Sequence, residues 1–272
     1  MTTPIDSTKP NIARIYDYWL GGKDNFEVDR QAAEVIRAMR PNVAEQALDN
    51  KKFQTRAVSY VAGRGLRQFV DIGSGLPTSP RREEGEPPLW LATHEAAGNI
   101  VADPLVAYVD YDPVAVLHSQ ALLAGGSSRV VAVAEDMREA EKILAHDQMR
   151  KAGFSLSEPA CVILGCVLHF VDAATAHGIV ATLTEALAPG SYLVISVGYG
   201  SGRAGQDFAT TYNAQDGPRI YAHSWEQIMA MFDGLGLVPP GVVDVSVWRP
   251  EWPEITPTEG PNMIVGGVGR RS

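Results

Sequence analysis

From Gln68 onward the chain alternates short apolar runs with stretches of helical periodicity, and no other feature limits its fold so strongly. Runs at 68–72, 106–110, 129–134, 160–165 and 191–197 are rich in valine, isoleucine and leucine and lack polar alternation. Strands buried on both faces read this way, as in a parallel sheet covered by helices. Asp112 is placed to cap a helix that begins at Pro113. Another helix carries Ala176, Ile179, Val180, Leu183 and Leu187 on one stripe and stops at Pro189-Gly190. A later one opens with Ser224 and Gln227 at capping-box spacing and turns Ile228, Met231, Phe232 and Leu235 inward. This βαβα order specifies a doubly wound α/β sheet.

The first run ends abruptly in Asp71, Gly73, Ser74 and Gly75. Two glycines allow torsions and a closeness of approach that a Cβ forbids, and the amides beyond them are free to meet a ligand at a helix N-terminus. Asp71 stands at the carboxyl end of a strand, where open α/β sheets bind ligands. Gly75 and Asp110 lie 35 residues apart, against roughly 20 in a dinucleotide-binding unit. The excess, 79–93, is charged and proline-rich and reads as a surface excursion near the mouth of the site.

About 65 residues of helix precede the sheet. The first helix, 11–20, has Asn11 as a plausible N-cap and Gly21-Gly22 as a stop, and it places Ile12, Ile15, Tyr16 and Trp19 on one face. Helices follow at 28–40 and 43–63. Residues 1–66 thus read as a helical lid over a sheet domain at 67–272. The polar, glycine-rich stretch 201–218 reads as a loop. At the other end, 242–248 and 262–268 read as strands joined by a proline-rich link too short for a crossover helix, hence an antiparallel hairpin.

Composition removes several classes. A formal charge of −9 argues against broad phosphate-backbone binding to nucleic acid. No apolar stretch approaches the roughly 20 residues of a membrane span, and the polar N-terminus lacks the core of a signal peptide, so a cytoplasmic location is expected. Cys161 and Cys166, if on one strand, stand roughly 16 Å apart, beyond the about 7 Å a disulfide spans; both are expected reduced. With these cysteines and six scattered histidines, ligands for a structural metal site are scarce.

The segment Ala13-Arg-Ile-Tyr-Asp-Tyr-Trp-Leu-Gly-Gly-Lys-Asp-Asn-Phe26 resembles the opening signature of the actinobacterial S-adenosylmethionine-dependent methyltransferase family once classed as a domain of unknown function. The resemblance continues through Val70-Asp-Ile-Gly-Ser-Gly-Leu-Pro-Thr78, Tyr108-Val-Asp-Tyr-Asp-Pro113, Val167-Leu-His-Phe170, Ala188-Pro-Gly-Ser-Tyr-Leu193 and Trp248-Arg-Pro250. It implies a class I methyltransferase fold: a mostly parallel, seven-stranded, Rossmann-like sheet with an antiparallel C-terminal hairpin strand. It also implies S-adenosyl-L-methionine as cofactor and an acceptor, read here as a small molecule.

On that resemblance Gly73, Ser74 and Gly75 pass beneath the methionine part and ribose, and Asp71 holds the amino group directly or through water. Asp110 accepts from both ribose hydroxyls, a bidentate task suited to a carboxylate. Tyr111 lies against the adenine, Asp136 with Met137 meets its amine and edge, and Gly165, Cys166 and Val167 run beside the methionine segment. Each has a plainer alternative: Asp112 and Asp136 as helix caps, Gly165 as a packing glycine, Cys166 as a small buried hydrophobe. Tyr16, Tyr18 and Trp19 are either helix core or a substrate wall. Arg14, Lys23 and Asp24 are either surface charges or part of the lid. His169 is either a base for the acceptor's proton or a structural histidine beneath the cofactor loop. Two rivals stay open. A nicotinamide-dependent oxidoreductase wants a third glycine that this loop lacks, and a catalytically silent cofactor-binding protein would keep the pocket alone.

Overall fold

A computed structural model describes residues 6–78, 88–123, 128–200, 202–214, 219–249 and 264–272. The chain opens with α1 (Ile12–Trp19), α2 (Glu27–Met39) and α3 (Val43–Ala62). It continues through β1 (Gln68–Ile72), α4 (Thr93–Gly98), β2 (Leu105–Asp110), α5 (Pro113–Leu123) and β3 (Val130–Ala134). After a 3-10 turn come α6 (Ala140–Leu144), α7 (Asp147–Ala152), β4 (Cys161–Gly165), α8 (Ala173–Ala186) and β5 (Tyr192–Gly198). The last elements are α9 (Gly202–Asn213), α10 (Trp225–Ala230), β6 (Leu235–Leu237), β7 (Val243–Asp244) and β8 (Ile264–Arg271).

The sheet runs β3-β2-β1-β4-β5-β8-β6, with β7 also paired to β8. Strands β1 to β5 are parallel and β8 is antiparallel to its three partners. The order reverses between β1 and β4, the place where open α/β sheets bind ligands. Residue parity explains the unbroken apolar runs, because successive side chains enter opposite layers. On one face Val70, Ile72, Val162 and Leu164 meet Leu183, Ile228 and Phe232. On the other, Phe69, Ile163 and Val194 meet Phe53, Ala57 and Val61 of α3, with Trp248 packed edge-on to Phe53 at 5.4 Å. Each fully buried side chain of this size contributes roughly 1.5–3 kcal/mol.

The C-terminal region differs from expectation in two respects. The expected hairpin is present as β7 with β8, the paired part of β7 being two residues long, which brings the sheet to eight strands. The helix opened by Ser224 stops at Ala230, because Gly234, at φ 77°, turns the chain and delivers Leu235 to Leu237 as β6 instead of a last helical turn. The stretch read as a loop is helix α9. Its glycines hide the periodicity, but Phe208 and Tyr212, one turn apart, pack with Ile15 and Ile36 of α1 and α2, and that tertiary contact outweighs weak propensity. The expected excursion begins outside the described residues at 79–87; the link at 250–263 lies outside them also. Among the described residues, no helix is long and apolar enough to cross a membrane. Cys161 and Cys166 are buried free thiols.

Candidate active site

At the carboxyl ends of β1 to β5 lies a cavity of about 440 Å³, roofed by α1, α2 and α9. Its floor is the glycine loop. Gly73 and Gly75 both have φ 68°, and a Cβ on Gly73 would lie 2.4 Å from Val167 Cγ1, so both torsion and contact demand glycine there. The Gly73 and Ser74 amides donate to Val109 O at 2.7 and 3.1 Å. Asp110 then fixes the loop: its Oδ2 accepts from Gly75 N at 2.8 Å and its Oδ1 from Asp112 N at 2.9 Å. Burial raises its pKa, and the two amides oppose that shift. One bond on each oxygen leaves acceptor capacity on both.

Of the residues read from the sequence, Gly73, Ser74, Gly75, Asp110, Tyr111, Asp136, Met137, Gly165, Cys166, Val167, His169, Tyr16 and Trp19 all line this cavity. Asp136 caps the 3-10 turn after β3 by accepting from Arg138 N at 2.9 Å, and the Arg138 guanidinium holds its carboxylate fork-wise, lowering its pKa. Cys166 has φ 58°, unusual for a residue with a Cβ. Its amide donates to Ser196 Oγ at 3.1 Å, Ser196 Oγ donates to Asn50 Oδ1 at 2.6 Å, Asn50 Nδ2 donates to the Tyr16 hydroxyl at 2.9 Å, and that hydroxyl donates to Ala47 O at 3.1 Å. This relay ties α1 and α3 to the tips of β4 and β5 and over-determines the strained residue. Burial pushes the Cys166 thiol up to about 12, leaving it a neutral lining group. Trp19 Nε1 is buried without a hydrogen-bond partner.

Three of the expected residues, Asp71, Arg14 and Tyr18, are not among those that line the cavity. Asp71 shares the parity of Phe69, so its carboxylate turns beneath α4, where it accepts from the Thr93 hydroxyl at 2.7 Å, and burial raises its pKa. Arg14 is not a wall residue either. It is 3% exposed and pairs with Asp29 (0% exposed) at 2.7 Å, while donating to Lys9 O, also at 2.7 Å. Tyr18 points toward α2 and donates to Glu34 at 3.0 Å.

Residues read only as caps, and others the sequence reading passed over, complete the site. Asn11 caps α1 as expected, accepting from Ala13 N at 2.8 Å, but its Nδ2 also donates to Asp112, so one helix N-terminus is bound to another. Asp112 in turn caps α5 through Val114 N at 2.7 Å. Asp17, 1% exposed, accepts from Asp24 N at 3.0 Å, Asn25 Nδ2 at 2.8 Å and the Thr78 hydroxyl at 2.6 Å. A Cβ on Gly22 would fall 1.9 Å from Asp17 Oδ1, which explains the second glycine after α1. The signal was the Gly-Gly-Lys-Asp-Asn run, too particular for a plain helix stop. Lys51 of α3 lines the cavity with its ammonium 6.0 Å from the Tyr16 ring centroid.

His169 lines the wall beyond β4. Its Nδ1 accepts from Gly198 N at 3.3 Å, which leaves the ring proton on Nε2. Burial, with His223 nearby, lowers its pKa to about 3. The imidazole is therefore neutral near pH 7 and presents an N–H. Elsewhere in the lining, Arg40 lies 4.1 Å over the Phe208 ring. Among the described residues, no three His, Cys, Asp or Glu side chains gather as a metal site.

The geometry agrees with what the chain is similar to. A candidate methyltransferase from Thermobifida fusca YX superposes with a TM-score of 0.84 at 36% identity, over 97% of this chain and 96% of that one. A DUF574 family protein from Streptomyces avermitilis does so with a TM-score of 0.83 at 32% identity, over 99% and 100%. An O-methyltransferase family protein from Burkholderia thailandensis, at 14% identity, shares the fold with a TM-score of 0.52 over 90% of this chain and 60% of that one. No curated protein matches. The sheet is mostly parallel with antiparallel C-terminal strands. Residues 1–272 match the family described as S-adenosyl methyltransferase, and the chain belongs to that family.

Proposed function

We propose that this cavity binds S-adenosyl-L-methionine and a small-molecule acceptor, and that the protein transfers the sulfonium methyl group between them. The observation that carries the reading is the convergence of Asp110, Asp136 with Met137, the glycine loop and residues 165–167 on one hollow of about 440 Å³. Several features fit that cofactor. The Gly73 cradle would be filled by a Cβ, Asp110 keeps a free lone pair on each oxygen, and Trp19 Nε1 is buried and unpartnered. Asp110 would take the ribose hydroxyls, Asp136 and Met137 the adenine edge, Tyr111 a ring face, and Lys51 the methionine carboxylate. When bound, the cofactor supplies a methyl group activated by positive sulfur.

The chain's own part is alignment. Methyl transfer is an in-line displacement, so holding the two reactants at a fixed distance and angle supplies much of the rate. Residues 1–66 act in this reading as the cap over 67–272 that excludes water. In this reading the protein works in the cytoplasm on a small molecule and has no membrane partner, and its charge of −9 argues against a nucleic-acid partner. Titration calorimetry with S-adenosylmethionine and S-adenosylhomocysteine tests the reading. Saturable one-to-one binding is expected, and no heat at millimolar ligand would end it.

A further inference from the structure

Three buried carboxamides stand at helical spacing on α3: Gln46, Asn50 and Gln54, each four residues from the next. Two of them are engaged. Asn50 accepts from Ser196 Oγ and donates to Tyr16. Gln54 Oε1 accepts from Lys51 Nζ at 3.4 Å, and its amide covers Gly165. Gln46 is 5% exposed and lines the cavity, yet its side chain has no hydrogen-bond partner among the described residues. A buried carboxamide left unpaired is destabilising, and native proteins hold few such groups without a reason. Position suggests the reason. Asn50, one turn along α3, is tied to Ser196 near the end of β5, so Gln46 lies on the β4–β5 side of the point where the strand order reverses. Asp110 and Asp136 lie on the other side, at the end of β2 and just after β3. Gln46 therefore belongs to the half of the cavity away from the ribose and adenine positions.

Resting on the methyltransferase reading, we propose that Gln46 selects the acceptor, and that the acceptor is an uncharged molecule with an apolar body and a carboxamide- or lactam-like edge. A primary amide presents a donor and an acceptor in one plane, and its complement is a group with the same pair in reverse. Val43, one turn before Gln46, belongs to an apolar cluster with Ile36, Phe208, Tyr212 and Ile220, all of which line the cavity. That cluster supplies the surface for the acceptor's body. Charged acceptors fit this half poorly. The described lining residues from α2, α3, the segment after β4, α9 and 220–222 include no acid, so an ammonium would be buried there without a counter-charge. Of the cations, Lys51 donates to Gln54 and Arg40 already has a partner. A carboxylate at Gln46 would therefore exchange water for a neutral amide, whereas an uncharged amide edge loses less on leaving water and satisfies Gln46 at both atoms.

The test uses the full chain saturated with S-adenosylhomocysteine and four matched probes: 2-naphthamide, 2-acetonaphthone, 2-naphthoate and 2-naphthylmethylamine. Calorimetry is expected to show the amide binding at least about fivefold more tightly than the ketone, the acid and the amine. Gln46→Leu should weaken the amide about tenfold, the scale of two neutral hydrogen bonds, and leave S-adenosylhomocysteine affinity within about twofold. Gln46→Glu, alike in shape but charged, should turn the preference toward the amine. Relieved of an unpaired amide, Gln46→Leu should melt no lower than wild type. Amide binding that is absent, or no tighter than that of the acid or amine, overturns the proposal, as does an amide affinity that Gln46→Leu leaves unmoved. A melting point lowered by more than about 3 °C in that variant would overturn it too, by assigning Gln46 to the scaffold. Failure of S-adenosylhomocysteine to bind in the first titration would instead sink the methyltransferase reading, so the two failures are distinct.

Discussion

Thr78→Val isolates the contact that joins the N-terminal helices to the glycine loop. The Thr78 hydroxyl donates at 2.6 Å to Asp17, a carboxylate only 1% exposed, and valine keeps the side chain's shape while removing that donor. A hydrogen bond to a charged group contributes about 1.5–3 kcal/mol. Asp17 keeps Asp24 N and Asn25 Nδ2, so its charge is not left bare, and the loss belongs in that interval rather than above it. For a chain of this size each kcal/mol moves the midpoint by about 2–4 °C, so a drop of about 3–12 °C is expected by calorimetric or fluorescence melting. Thr78→Ser retains the hydroxyl and should recover most of it. A valine variant within about 0.5 kcal/mol of wild type, or a serine variant equally damaged, would refute the assignment of this bond as one of the ties between the two parts.

Asp110→Asn replaces an acceptor that takes Gly75 N and Asp112 N with a group that can accept on one side only; cofactor affinity by calorimetry should weaken by about 1.5–3 kcal/mol, the scale of charged hydrogen bonds. Asp29→Asn leaves Arg14 buried without its counter-charge, and chemical denaturation should show a loss of about 3–5 kcal/mol; Asp29→Asn at wild-type stability would contradict the burial. His169 has a folded pKa near 3 against an ordinary 6.5. The unfolded chain therefore binds the extra proton between those values, and the contribution is complete above about pH 6.5 and lost as pH falls toward 3. Wild type should lose up to about 1.4 kcal/mol per pH unit more than His169→Gln in that window; parallel stability curves for the two proteins would show that the ring is not held neutral.

Much of this molecule was legible in its sequence because burial on both faces leaves a simple signature. The five parallel strands fell within about a residue of their observed bounds, and strand-terminal acids such as Asp110 announce themselves by interrupting an apolar run. The placement of Asp71 was available from the sequence: it lies two residues from Phe69, so parity assigns it to the α3 and α4 layer, off the cavity lining. Arg14 could not be resolved from its own segment, because its partner stands 15 positions away on another helix. Tyr18 follows the α2-facing stripe of α1 and so misses the hollow that Tyr16 and Trp19 border. Helix α9 was obscured by its glycines, and what stabilises it is a contact with α1 and α2 that local propensity does not contain. The roles of Asp17 and Lys51 depend on neighbours distant in sequence, and only the oddness of Gly21-Gly22-Lys23-Asp24-Asn25 hinted at the first.

A crystal structure of the protein soaked with S-adenosylhomocysteine measures the central assignment directly. The ribose hydroxyls are predicted within hydrogen-bond distance of the Asp110 carboxylate, the adenine beside Asp136 and Met137, and the sulfur facing the part of the lining that holds His169. Ligand density elsewhere on the molecule, or its absence from this hollow at saturating concentration, would contradict the account.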